Sequence, residues 1–348
     1  MTHRWLRCAA LIGAVLLFAA CNSATGGTGN TGNKVTVATQ PSSTGFPLWL
    51  AERLGYYAEA GLDVDLAYFP SGAPLVEAGA GGAWDAGFMG APPGLTAADK
   101  WKMVPAGVNT EEGKTLALWV RRADLSGKTP TEALRGRDIL VKTNSTAHYV
   151  LLSCLQKLEL AGKVNLVPIE TNAVPSAFGG GRGGGAMTWP PFDMGFEGNP
   201  DYIRVCDGEM AGTPVYDFIG LTQEFAQERP EQADSFLRAA FRANAWIPEN
   251  RDRAAALLTE YYATQGIDIE PEQAALQIAK VEYLSLPGSV ELYRGRLGAD
   301  LEHLAETFVE LGAYQSEPDI SAAVSSGLET AERAVGTDPA HSEPDQGE

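Results

Sequence analysis

Lys34-Val35-Thr36-Val37-Ala38-Thr39 is followed directly by Gln40-Pro41-Ser42-Ser43-Thr44-Gly45 and then by Phe46-Pro47-Leu48-Trp49-Leu50-Ala51. The first six residues alternate as a half-buried strand does, and the second six are turn formers. The third run starts a helix, with Pro47 in the first turn, where its missing N–H has no partner to lose. Gly55 or Gly61 ends that helix before Leu62-Asp63-Val64-Asp65-Leu66-Ala67-Tyr68-Phe69, which alternates again. Strand, polar loop, helix, strand is the βαβ unit. Asp63 and Asp65 read as the solvent face of its second strand.

The alternation continues outward from this unit. A short helix is predicted over Leu75 to Ala80, a strand over Asp85 to Met89, a loop at Gly90-Ala91-Pro92-Pro93, a helix over Leu95 to Lys100 and a strand over Thr115 to Val120. The opening pattern then returns, with strand Asp138 to Val141, loop Lys142-Thr143-Asn144-Ser145-Thr146 and a helix whose apolar stripe is Ala147, Val150, Leu151, Cys154, Leu155 and Leu158. Strands at 164–169, 186–189 and 202–206 and a helix near 174–178 follow. Beyond Glu228 the chain reads as helical, with Ala233, Phe236, Leu237, Ala240 and Phe241 on one face of a helix opened by Pro230 and further helices over 252–262 and 289–311. The fold class expected is α/β, in two lobes, each a mixed, mostly parallel sheet with helices on both faces. Lobe 1 is expected over 34–120, lobe 2 over 121–214, and a return to lobe 1 with C-terminal helices over 215–335.

A chain of 348 residues with 45% apolar and 20% charged residues has the composition of a folded protein and the length for two lobes. Its 26 basic and 44 acidic residues give a net charge of -18. Such a chain repels phosphate backbones on average, so no nucleic-acid partner is expected. Arg4 and Arg7 precede an uncharged run from Cys8 to Ala20, shorter than the ~20 residues that span a bilayer. Residues 1–20 therefore read as a secretion signal. Leu17-Phe18-Ala19-Ala20-Cys21 resembles the lipobox of bacterial lipoproteins, which implies lipidation at Cys21, a membrane anchor and an extracytoplasmic location. Residues 21–33 read as a flexible tether, and 336–348 as an acidic disordered tail. Of four cysteines, Cys154 and Cys206 remain after the signal and the anchor; a disulfide and a buried thiol on the apolar stripe are both consistent with them.

Two polar loops, 41–45 and 143–146, each join the C-terminal end of a strand to the start of a helix, where open α/β sheets bind ligands. Helix starts offer unpaired N–H groups to an anionic or polar head group, and their Ser and Thr side chains either contact a ligand or serve as N-caps. Repetition of the arrangement in both lobes points to a shared site.

The stretches 39–43, 50–57, 61–64, Trp84-Asp85-Ala86-Gly87-Phe88-Met89-Gly90-Ala91-Pro92-Pro93, 125–128, Asn144-Ser145-Thr146-Ala147-His148-Tyr149, Trp189-Pro190-Pro191, Pro214-Val215-Tyr216-Asp217, 229–231 and 246–250 carry a family resemblance. In this order they resemble the substrate-binding lipoproteins of ABC importers for nitrate, sulfonates and taurine, with thiamine-pyrimidine binders as a further branch. The resemblance covers about Lys34 to Leu311 and implies the type II periplasmic-binding fold, two lobes closing on a small-molecule ligand, with an ABC-transporter permease as partner. It departs at Gly184, where the family usually carries Asp. The candidate ligand contacts are Gln40, Ser42, Ser43, Thr44, Ser71, Gly72, Gly90, Ala91, Asn109, Asn144, Ser145, Thr146, His148, Trp189 and Tyr216.

Enzyme signatures are missing from the sequence. The stretch 179–184 fits GxGxxG without a helix behind it, no Cys or His spacing suits zinc, and no Gly-x-Ser-x-Gly elbow occurs. No cofactor, no metal and no catalysis are expected, and the protein is expected to be a monomer. The loops hold little positive charge beyond Lys142 and adjoin Phe46, Trp189 and Tyr216, which favours a small organic molecule with one polar or anionic head, sulfonate-like or pyrimidine-like. A ligand sensor for a signalling partner, and an enzyme of precursor biosynthesis on the same fold, are the alternatives.

Overall fold

The computed structural model describes residues 31–310, 312 and 314–337. The signal, Cys21, most of the tether and nearly all of the acidic tail lie outside them. The chain opens with β1 (Lys34–Thr39), α1 (Phe46–Arg53), α2 (Tyr56–Glu59), β2 (Asp63–Tyr68), α3 (Gly72–Ala80), β3 (Ala86–Gly90), α4 (Ala91–Trp101) and β4 (Val104–Glu111). It crosses over through β5 (Ala117–Arg121), α5 (Pro130–Leu134), β6 (Asp138–Val141), α6 (Thr146–Lys157), β7 (Asn165–Pro168), α7 (Val174–Gly179), β8 (Gly185–Thr188), β9 (Tyr202–Asp207) and α8 (Gly208–Ala211). It returns as β10 (Tyr216–Leu221) and α9 (Gln223–Glu228), then α10 (Pro230–Glu249), α11 (Arg251–Thr264), α12 (Pro271–Lys280), β11 (Glu282–Tyr283), α13 (Leu286–Arg294), α14 (Leu297–Glu310) and α15 (Ile320–Gly336).

The first sheet has the order β11-β4-β10-β3-β1-β2 and the second β7-β6-β8-β5-β9. The βαβ reading holds: β1 pairs in parallel with β2 and β3, and β6 with β7 and β8. The crossing strands break the pattern. β10 runs antiparallel to both β3 and β4, and β5 antiparallel to β8 and β9. Since β5 belongs to the second sheet, the crossing falls between Glu111 and Ala117, ahead of the boundary expected at 121.

Other boundaries also shift. Pro92 and Pro93 are not in a loop but in the first turn of α4, where a proline lacks only an N–H that would be unpaired anyway. The helix expected over 289–311 is two helices, broken after Arg294 by Gly295. Part of the expected tether is ordered: Thr31–Asn33 is a 3-10 turn, and the Asn33 amide donates to the Gly61 carbonyl at 2.8 Å. The tail boundary moves as well, because α15 runs through Gly336.

Each sheet builds its own core. Val35, Val37, Phe46, Leu48, Phe236, Leu237, Ala240 and Phe241 are buried together between the first sheet and α1 and α10. The i, i+3, i+4 spacing read on α10 is the stripe that packs. In the second lobe Leu118, Val120, Ile139, Val141, Val150, Leu151, Leu155 and Met187 are buried on one side of the sheet. Cys154 on α6 and Cys206 on β9 form a disulfide in that core, which settles the open choice in favour of the bridge. Two of the motif residues are structural. Asp85 accepts from the Thr36 N–H at 2.8 Å and forms an ion pair with Arg229, tying β1 to the start of α10.

Candidate functional site

Four helix starts meet one cavity between the lobes. Thr44 precedes α1, Ser71 and Gly72 open α3, Gly90 and Pro93 open α4, and Ser145 and Thr146 open α6; all line the same cavity. Each follows the C-terminal end of a strand, so four helix dipoles point their positive ends at one space. The first N–H groups of α1 are already used, Gly45 and Phe46 donating to Ser42 and Leu48 to Gly45, and Pro47, Pro92 and Pro93 have none. Ser71 is the N-cap of α3, yet its side chain accepts no capping bond, and its hydroxyl is buried without a partner. A water molecule's centre has about 40 Å³ in which to move inside the cavity, which suits a head group of a few atoms.

Of the candidate contacts, Gln40, Ser42, Thr44, Ser71, Gly72, Gly90, Asn144, Ser145, Thr146 and Trp189 line the cavity. Ser42 and Ser145 also act locally: the Ser42 hydroxyl accepts from Gly45 N–H at 3.0 Å, and that of Ser145 accepts from His148 N–H at 3.2 Å while donating to the Lys142 carbonyl. The capping and lining roles coincide.

Five candidates are not on the cavity wall. Ser43 is buried, with its carbonyl accepting from the Tyr283 hydroxyl at 3.0 Å. Ala91 packs with Leu95 and Phe218. The Asn109 amide donates to the Thr44 carbonyl at 3.1 Å, so it braces the loop from behind. The His148 ring accepts from Asn144 N–H and sits edge-on to Phe308; burial pushes its pKa down to about 4, leaving it neutral. Tyr216 turns away and donates to Asp300 at 2.7 Å.

Two wall residues were absent from the candidates and change the character of the site. Glu112, just after β4, and Asp217, on β10, are 5% and 2% exposed and face the cavity. The Thr110 hydroxyl donates to Asp217 at 2.8 Å and that of Thr115 to Glu112 at 3.1 Å. Burial raises the Asp217 pKa to about 7 against the bonds from Thr110 and Thr44. Glu112 is held well above the usual carboxylate range, by burial first and then by the charge of Asp217. Lys142, the one cationic side chain on this wall among the described residues, is 2.7 Å from Glu170. The cavity therefore holds two buried carboxylates among the helix starts, with Thr44 bonded to Asp217 and Thr146 to Glu112.

The sequence profile of the NMT1-like family matches residues 29–259. The chain belongs to this family. Among its relatives, the taurine-binding periplasmic protein of Escherichia coli (strain K12) is 31% identical over 241 residues, covering 64% of this chain and 72% of that protein. Family folds agree. The periplasmic aliphatic sulphonate binding protein SsuA of Escherichia coli superposes with a TM-score of 0.67 at 18% identity, covering 83% of this chain and 91% of that one. The periplasmic nitrate-binding protein NrtA of Synechocystis PCC 6803 gives 0.68 at 13% identity, covering 90% of each. The architecture is the two-lobed periplasmic-binding fold that the sequence resemblance implied.

In this family member two of the contacts between the lobes yield predictions. Gly90 ends β3 opposite Thr146 of the second lobe, and a Cβ at Gly90 would lie 2.5 Å from the Thr146 methyl group. Gly90→Ala therefore overpacks the contact between the lobes; we expect affinity to fall about 10-fold, from an overpacking cost of roughly 1–3 kcal/mol, with a lower melting temperature as well. Calorimetry and thermal melts check this. Farther from the cavity, Lys280 on α12 reaches Glu197 of the second lobe at 2.7 Å, and the Gln273 amide donates to the Met194 carbonyl at 3.2 Å. Lys280→Met removes a closure contact without touching the cavity. Affinity should drop roughly fivefold, and the difference should shrink at high salt.

Proposed function

We propose that this chain is the extracytoplasmic solute-binding component of an ABC importer. Its ligand is a small zwitterion of the taurine type, held with the anionic head at the helix starts and the ammonium group between Glu112 and Asp217. The two buried carboxylates on the cavity wall carry this reading: an inorganic anion or a plain sulfonate would leave both beside it without a counter-charge, which is costly. The relative that binds taurine supports the same class of ligand. A pyrimidine-type ligand has less support, since Trp189 is the one aromatic side chain besides Phe88 on the described wall.

Anchoring through a lipid on Cys21, delivery to a permease, a monomeric state and the absence of catalysis complete the reading. The division into lobe 1, lobe 2 and a returning segment lets two lobes close on the ligand about the crossing strands. No helix of the described residues is long and apolar enough to cross a membrane, and no group of three or more potential metal ligands occurs among them.

The test is calorimetric titration with three compounds. Taurine should bind tightly, while ethanesulfonate, lacking the ammonium group, and ethylamine, lacking the sulfonate, should each bind at least about 100-fold more weakly. Equal affinity for taurine and ethanesulfonate would sink the zwitterion reading.

A further inference from the structure

Glu112 and Asp217 share one cavity wall with no cation opposite either of them among the described residues. Their hydrogen-bond partners are hydroxyls: Thr115 and Thr146 for Glu112, Thr110 and Thr44 for Asp217. Every other group facing the pair leaves this imbalance in place. Glu111 on β4 adds further negative charge. Tyr283 of β11 and Tyr262 of α11 are neutral, with burial first among the causes that raise their pKa values. His148 of α6 is neutral as well, and Lys142 is engaged by Glu170. Two uncompensated anions in one buried space are costlier than one anion and one neutral acid.

We propose that the empty cavity stores a proton on the Glu112–Asp217 pair and that an ammonium-bearing ligand expels it, so that ligand capture releases a proton to solvent. This inference rests on the zwitterion reading above. The exchange is balanced. The pair begins with one carboxylic acid and one carboxylate and the ligand arrives with a full ammonium charge. The acid O–H bond breaks, its proton passes to water or buffer, and two carboxylates remain around one ammonium. The upward shift of both carboxyl groups under burial agrees with a proton held near neutral pH. Because the groups interact, the proton belongs to the pair and not to one residue. Acid should oppose binding, since lowering the pH fills the proton site that the ammonium group must empty.

Calorimetry of the full chain with taurine, in buffers of low and high ionisation enthalpy at neutral pH, tests this. The binding enthalpy should vary with the buffer by the equivalent of about one-half to one proton released per ligand, and affinity should fall by up to about tenfold per pH unit below neutral. In Glu112→Gln the release should shrink to less than half. Independently of any ligand, the infrared spectrum of the empty protein at neutral pH should contain a carboxylic-acid C=O band that is missing from the Glu112→Gln/Asp217→Asn double variant. Taurine binding with one enthalpy in all buffers, or an empty protein without that band, overturns the proton exchange and leaves the zwitterion reading standing. Failure of taurine to bind while the band is present overturns the zwitterion reading, and the exchange with it.

Discussion

Replacing Asp217 by Asn should weaken taurine binding by about 100-fold or more while leaving a stable, folded protein. The magnitude follows from removing one partner of a buried charge pair, which costs about 2–5 kcal/mol. Asn keeps the volume of Asp and an oxygen that accepts from the Thr110 hydroxyl, now 2.8 Å from Asp217, so the wall keeps its shape and loses its charge. The sign of the stability effect sets this variant apart from a folding defect. Burial raises the Asp217 pKa in the folded protein to about 7, so its contribution to stability is present in acid and is lost as pH rises through that value. Asp217→Asn removes this dependence, and at pH 8 the empty variant should melt no lower than the wild type. Ethanesulfonate, which brings no ammonium group, should bind the variant as well as or better than it binds the wild type. Calorimetry for both compounds, with melts at pH 5 and pH 8, reads all three outcomes; a parallel loss of both ligands, with a lower melting temperature, would place Asp217 in the scaffold.

The elements were legible wherever local pattern decides them. β1, the loop after it, α1 and their counterparts β6 and α6 lie where alternation, turn residues and helix starts put them. Direction within a strand was harder. Tyr216 and Asp217 are neighbours on β10, and neighbouring side chains on a strand face opposite sides, so placing the aromatic ring in the cleft turned the carboxylate away. In the structure the assignment is reversed, with Tyr216 on Asp300 and Asp217 on the cavity. Alternation supplies the pair of faces; which face is the cleft depends on β10 lying between β3 and β4, a long-range pairing with no local signature.

Acidic residues on strands posed the same difficulty. Asp63 and Asp65 on β2 are exposed, as alternation suggests, because β2 is the edge strand of its sheet. Glu112 follows β4, a strand buried along nearly its whole length in the sheet interior, so the same residue type there meets a cavity instead of water. The loop serines show a finer limit. Ser42 and Ser145 reach the cavity while Ser43, between two lining residues, is turned into the protein, an orientation fixed by contacts such as Tyr283 and Tyr261 from residues more than 200 positions away. Capping and lining coincide at one residue: Ser145 caps α6 and is on the cavity wall.

Reduction of the Cys154–Cys206 disulfide should destabilise the second lobe by about 3–4 kcal/mol, because the bridge closes a loop with a sequence separation of 52 and its loss returns that entropy to the unfolded chain. The functional consequence comes from where the bridge is attached. Cys154 is on α6, whose first turn carries Ser145 and Thr146 at the cavity, and Cys206 is on β9 at the edge of the second sheet. Loosening that contact frees the helix that presents the second lobe's donors, so ligand affinity should fall along with stability. The paired variant Cys154→Ala/Cys206→Ala, compared with the wild type with and without dithiothreitol, separates the causes. The reductant should lower the melting temperature of the wild type and leave the variant unchanged. Equal melting temperatures for reduced and oxidised wild type would show that the bridge contributes nothing. Such a bond persists in an oxidising compartment, which agrees with export from the cytoplasm. The lobe that supplies half of the proposed clamp thus draws part of its stability from a bridge in its own core, on the helix whose first turn reaches the cavity.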